Sequence, residues 1–222
     1  MPPEAEDIMV YRDISLIEKT GGRLHVAHIS SKKSVDLVRQ AKSKGLSVTC
    51  EVAPHHFTLT DEAVRGYDTN TKMSPPLRTS SDVEAMKEGL RDGTIDIIAT
   101  DHAPHDIADK QVEYQNACFG IVGLETALPL SLKLVDEKIL SLNDLIKKLT
   151  STPAEIFNLN GGNLSLGQEA DILIFNPNHA YKIDVSKFYS KSKNSPFDGW
   201  NVKGKVMHTL VRGKTVYSAI SN

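Results

Sequence analysis

The chain has 222 residues, 40% of them hydrophobic and 24% charged, with a formal net charge of -2. That is enough apolar material for one large domain, or one plus a small appendage, and it leaves no basic surplus to meet a nucleic acid or an anionic membrane. Cys50 and Cys118 are too few for a disulfide framework, no charged and apolar leader opens the sequence, and no apolar run approaches the roughly 20 residues that span a bilayer, so a cytoplasmic protein is expected.

Ile8, Tyr11, Ile14 and Ile17 recur at helical spacing within residues 4–20, and Gly21-Gly22 ends the pattern. RLHVAHIS, residues 23–30, is short and apolar between a glycine pair and a serine pair, which predicts a strand. Ser34 is the expected start of a second helix, SVDLVRQAKSKG, closing on Gly45, and LSVTCEVAP at 46–54 predicts a second strand stopped by proline. A polar loop holding MSPPLR follows; Ser81 is then the expected cap of DVEAMKEGLRDG, and TIDIIATDHAP supplies a third strand. Strands apolar on both faces that alternate with helices point to parallel βαβ units. In the tail, LSLGQEADILIFNPN and VKGKVMHTLVRGKTVY alternate like antiparallel strands with glycine turns.

Three polar residues interrupt these runs at related places. His28 lies near the carboxyl end of the first strand, Glu51 near that of the second, and Asp101 ends the third. In a (β/α)8 barrel the active site is built at that rim, whereas burying such groups in mid-strand costs a few kcal/mol each. Imidazole and carboxylate together suit zinc, which lowers the pKa of a bound water to about 7. Plainer readings stand beside this one. His28 alone is also compatible with a hydrogen-bonded core histidine; His25, three residues earlier, is expected on the opposite face in a structural role. His55 and His56 follow Pro54 as loop histidines, Cys50 reads as a buried apolar filler, and His179 and His208 lie in the polar tail without a signal. Asp101 as a helix N-cap would leave the neighbouring His102 and His105 unexplained.

HVAHISS, TCEVAPHHFTLTDE, YDTNTKMSPPLR, ATDHAPH, FGIVGLETALPL and SPFDGWNVKGKV occur in that order, and together they resemble the dihydroorotases of the amidohydrolase superfamily across essentially the whole chain. Hydantoinases resemble it less well, because they typically lack the second histidine of DHAPH and the paired histidines after EVAP. The resemblance implies an α/β fold: the C-terminal half of a (β/α)8 TIM-type barrel, strands six to eight, over residues 1–165, then part of a small β-sandwich over 166–222. It also implies that the superfamily's His-x-His motif, its strand-four bridging residue (an aspartate or a carboxylated lysine) and its strand-five histidine lie outside this chain. Strand six would then carry an open edge, prone to association.

Residue by residue, the resemblance implies that His28 and Asp101 bind zinc, one or two ions in the complete site, with Asp101 also the catalytic acid/base. His105 matches the histidine that holds the substrate carboxylate. Ser74 stands where many bacterial members have an asparagine against the pyrimidine ring, and Phe119 and Gly120 match a segment whose backbone faces that ring. Glu51 matches an accessory metal ligand of some members. The expected reaction is the reversible hydrolysis of dihydroorotate to N-carbamoyl-L-aspartate in pyrimidine biosynthesis. The expected partners are that small-molecule substrate, a second copy in a homodimer, and aspartate carbamoyltransferase, with no nucleic acid and no membrane. Two alternatives remain: a non-catalytic dihydroorotase-like scaffold supporting aspartate carbamoyltransferase, and a cyclic amidohydrolase of the hydantoinase or allantoinase kind.

Overall fold

The computed structural model describes residues 1–219 and divides into two compact units. The first comprises residues 1–127 and 185–196. Its strands β1 (Leu24–Val26), β2 (Val48–Val52) and β3 (Ile97–Ile98) form a parallel sheet in that order, with Leu24 opposite Val48 and Glu51 opposite Ile97. Along β2, Val48, Cys50 and Val52 are buried while Thr49 and Glu51 are half-buried, the alternation that a pleated strand imposes. Helix α1 (Glu4–Thr20) precedes β1, while α2 (Lys32–Ser43) and α3 (Ser80–Asp92) lie between successive strands, so the expected βαβ alternation is present.

Helix α1 buries Val10, Ile14 and Ile17 and stops at Gly21, whose left-handed backbone (φ 71°) lets its N–H donate to the Ile17 carbonyl at 2.8 Å. Two expected caps are displaced. Helix α2 is capped by Ser31, whose hydroxyl accepts from the Ser34 N–H at 3.0 Å, so Ser34 lies inside the helix and not at its start. Helix α3 is capped by Thr79 in a capping box with Asp82, two residues before Ser81. In both runs several hydroxyl residues compete, and the one that caps stands three residues before the N–H it receives.

The strands are shorter than the apolar runs. β1 ends before His28 and β3 before Asp101, and both residues take left-handed backbones, with φ 35° and 47°. Beyond Asp101 the chain returns along the sheet: His102 bridges Ile121 in parallel, and a Cβ on Gly123 would lie 2.3 Å from the Thr100 carbonyl oxygen, an approach only glycine allows. Two short helices follow in sequence, α4 (Ile107–Lys110) and then α5 (Leu124–Asp136).

The second unit comprises residues 128–184 and the chain from Phe197 on. It contains α6 (Leu142–Leu149), α7 (Ser151–Phe157) and an antiparallel sheet, β4 (Ile172–Lys182), β5 (Asn201–Val211) and β6 (Lys214–Ser218). Arg212 and Gly213, both at positive φ, make the two-residue turn between β5 and β6, as a twisted hairpin requires. Gly204 gives way to Leu132, since a Cβ there would meet Leu132 Cδ1 at 2.1 Å. Leu173, Ile174, Val211 and Val216 leave apolar side chains exposed on the sheet. Among the described residues no helix is long and apolar enough to cross a membrane.

Candidate active site

The parallel sheet brings His28, Glu51 and Asp101 to the carboxyl ends of three adjacent strands, and their charges act on one another. Glu51 accepts from the His28 backbone N–H through Oε1 (3.4 Å) and pairs through Oε2 with His25 Nε2 (3.1 Å), whose Nδ1 meets Thr49 Oγ1 at 2.8 Å. His25 therefore shares the face of Glu51 and is not turned away from the rim residues. The two-residue alternation that suggested otherwise holds only inside the strand, and His28 lies past its end with a left-handed backbone. Burial pushes the Asp101 carboxyl above its ordinary value; the Glu51 charge adds to that rise and His28 opposes it.

His55 and His56 are not loop bystanders. They occupy a 3₁₀ turn, Pro54–Phe57, directly after β2, and their side chains are 2% and 3% exposed. His55 Nε2 lies 3.8 Å from Asp101 Oδ2 and has no hydrogen-bond partner among the described residues, so a buried imidazole nitrogen is left open beside the carboxylate. His56 Nε2 bonds the Pro75 carbonyl at 3.0 Å, which ties the loop holding Ser74, itself exposed, to the histidine pair. Burial, then the neighbouring His56 and His28, holds His55 well below the usual imidazole value; burial likewise lowers His56 to about 4.

This has a measurable consequence. Because the folded-state value of His56 lies below the unfolded 6.5, its contribution to stability is complete above 6.5 and is lost as pH falls towards about 4. Unfolding free energies measured by urea denaturation should fall by about 2 kcal/mol between about pH 7 and about pH 5 from this residue alone. His56→Gln should reduce that fall, and an unchanged fall would place the titrating group elsewhere.

The chain following His28 is fixed from behind. The Glu6 carboxylate accepts from the backbone N–H groups of Ser30 (2.9 Å) and Ser31 (3.1 Å) and from the Ser30 hydroxyl, while Arg78 Nε donates to Ser30 Oγ at 3.0 Å. Burial by itself would raise the Glu6 carboxyl, but the bonds from Ser30 and Ser31 outweigh it and leave the group below its ordinary value.

A second cluster forms past Asp101. His105 Nε2 bonds the Phe119 carbonyl at 2.7 Å, and Gly120, at φ 110°, packs so closely that a Cβ would stand 2.5 Å from Ala103 Cβ. Phe119 is 55% exposed with Lys72 Nζ 4.6 Å above its ring. Asn194 was not singled out from the sequence, yet its buried amide donates to the carbonyls of Ala103 (3.0 Å) and Gly120 (3.1 Å) and accepts from His105 N–H at 3.4 Å. An isolated asparagine in a polar run offers no signal of such partners. As donors, the imidazole of His28 and the carboxylate of Asp101 are of the kind zinc accepts.

The chain is 55% identical over 219 residues to a dihydroorotase of Geobacter sp. strain M21, covering 99% of this chain and 52% of that protein. It is 56% identical over 220 residues to a dihydroorotase of Anaplasma phagocytophilum strain HZ, covering 99% and 49%. The chain thus spans about half the length of the curated relatives it matches. Among solved structures it is similar to an L-hydantoinase (dihydropyrimidinase) from Arthrobacter aurescens, with a TM-score of 0.92 and 34% identity over 98% of this chain and 50% of that one. Residues 4–216 match the model of the amidohydrolase family, and the chain belongs to that family.

Proposed function

We propose that these residues are part of a zinc-dependent dihydroorotase. The observation that carries the reading is the meeting of His28, Glu51 and Asp101 at the ends of three adjacent parallel strands, beside the open nitrogen of His55. The identity to dihydroorotases narrows the chemistry from cyclic amides in general to dihydroorotate. In this reading residues 1–165 are strands six to eight of a (β/α)8 barrel with their helices, and residues 166–222 are part of a small β-sandwich. The remaining metal ligands come from residues outside these 222, a reading supported by the chain spanning only about half the length of the dihydroorotases it matches. The protein works in the cytoplasm as a homodimer.

His28 and Asp101 would hold the metal, with Glu51 as an accessory ligand oriented by its bond to His25. When bound, zinc supplies an activated water and polarises the amide carbonyl of the ring. Asp101 accepts the proton of the attacking water and passes it to the departing ring nitrogen; read backwards, the same transfers close the ring on N-carbamoyl-L-aspartate. His105 receives the substrate carboxylate, and Ser74 with the backbone of Phe119 and Gly120 lines the ring.

The test joins zinc analysis to an assay. The chain is produced alone and together with the first half of the Geobacter relative, and opening of dihydroorotate, hydantoin and dihydrouracil is followed in each preparation. Stoichiometric zinc and dihydroorotate turnover in the joined preparation are expected. Zinc with turnover only of the uncharged rings would favour the hydantoinase alternative, and bound zinc without any turnover would favour a scaffold.

A further inference from the structure

Apart from the rim, segment 105–118 assembles another set of metal-ligating side chains. One ring nitrogen of His105, one carboxylate oxygen of Asp109 and the sulfur of Cys118 all lie within 4.8 Å of one another. Ligands at about 2.0–2.3 Å from a tetrahedral zinc are about 3.3–3.8 Å apart, so a closure of roughly 1 Å completes the geometry.

The backbone already holds these residues together. Asp106 caps α4 by accepting from the Ala108 N–H at 2.9 Å, which sets Asp109 on the helical turn. The Cys118 N–H donates to the Asp109 carbonyl at 3.2 Å. Lys110 Nζ crosses to the carbonyls of Cys118 (2.8 Å) and Thr69 (2.9 Å). With an ion bound, the bond from His105 Nε2 to the Phe119 carbonyl keeps the proton on Nε2 and turns the lone pair of Nδ1 to the metal. A metal-binding histidine is held in the same way, with its second nitrogen donating to a backbone carbonyl. Lys110 Nζ, held at the Cys118 carbonyl, also places a cation close to the Cys118 side chain.

We propose that His105, Asp109 and Cys118 form a second cation site, separate from the rim of His28 and Asp101, that takes zinc or a similarly borderline-soft divalent ion. Thiolate and imidazole select such ions over magnesium or calcium, and three protein ligands leave a fourth position for water or an anion. In the dihydroorotase reading, on which this one consequence rests, an ion here withdraws His105 from the substrate carboxylate. The cation site itself stands apart from that reading.

The probe is Co(II), whose thiolate complexes show a sulfur-to-metal charge-transfer band in the near ultraviolet. Cys50 is 0% exposed, and Cys118 is the other of the two cysteines, so a band reports Cys118; His28 and Asp101 can contribute none. Titration of the purified 222-residue chain should give the band at one equivalent, and zinc should displace it. Cys118→Ser should abolish it with unchanged circular dichroism, and Asp109→Asn should weaken Co(II) binding by at least about ten-fold, a loss that even a supporting partner of a ligand produces. Absence of the band, its survival in Cys118→Ser, or undiminished affinity in Asp109→Asn would overturn the site. Should Cys118→Ser fail to fold, alkylation of Cys118 in the unaltered chain decides the matter: zinc should block it, and unimpeded alkylation at saturating zinc counts against the proposal. Because neither readout uses turnover, failure of the cation site and failure of the dihydroorotase reading are distinguishable.

Discussion

Asp101→Asn, in a preparation that binds zinc and opens dihydroorotate, should lower kcat by about 10²- to 10⁴-fold, the range that positioned proton transfer supplies. It should leave the fold unharmed. Burial, with the Glu51 charge, outweighs the support that His28 gives the ionised carboxyl, so a neutral amide of the same shape fits the position. Asparagine also tolerates the left-handed backbone found at this position, φ 47°, better than most residues do. Turnover, zinc content and thermal melting measured on the same samples separate the roles. Lost turnover with retained zinc assigns Asp101 to proton transfer; lost turnover with lost zinc assigns it to the metal first. A kcat within about ten-fold of the unaltered protein would remove it from the acid/base role.

His105→Ala should reduce kcat/KM for dihydroorotate by about 10- to 100-fold, since a hydrogen bond to a charged group contributes about 1.5–3 kcal/mol. For dihydrouracil, which lacks the carboxylate, kcat/KM should change little. The contrast is the point of the experiment: the bond from His105 Nε2 to the Phe119 carbonyl also supports the local backbone, and a merely structural loss would slow both substrates alike. Equal decline for the two rings would mean that His105 does not read the carboxylate.

The parallel sheet was legible because valine- and isoleucine-rich runs bounded by glycine, serine and proline leave little choice but buried strands. The rim was legible for a related reason: His28, Glu51 and Asp101 are polar residues at the ends of apolar runs, where a folding explanation is expensive. What stayed hidden depends on partners far away in the chain. His25 looked opposed to the rim until Glu51, 26 residues later, turned out to be its partner. His55 and His56 looked like loop residues because nothing local announces burial; it is the 3₁₀ turn after Pro54 that carries them inward beside Asp101. Asn194 joins carbonyls 91 and 74 residues away, at Ala103 and Gly120, and no local pattern encodes that. The caps were missed on a finer scale, since neighbouring serines and threonines differ only in which N–H they reach.

His28 and Asp101 each hold a backbone that suits glycine and a side chain that suits chemistry. The conformation costs on the order of 1 kcal/mol or more at each, and glycine would remove that cost. At these two positions the slope of stability therefore runs away from activity. Engineering for heat resistance that scores only melting temperature would be drawn to them early and would return a sturdier protein with an empty rim, so any such selection has to carry a turnover assay alongside.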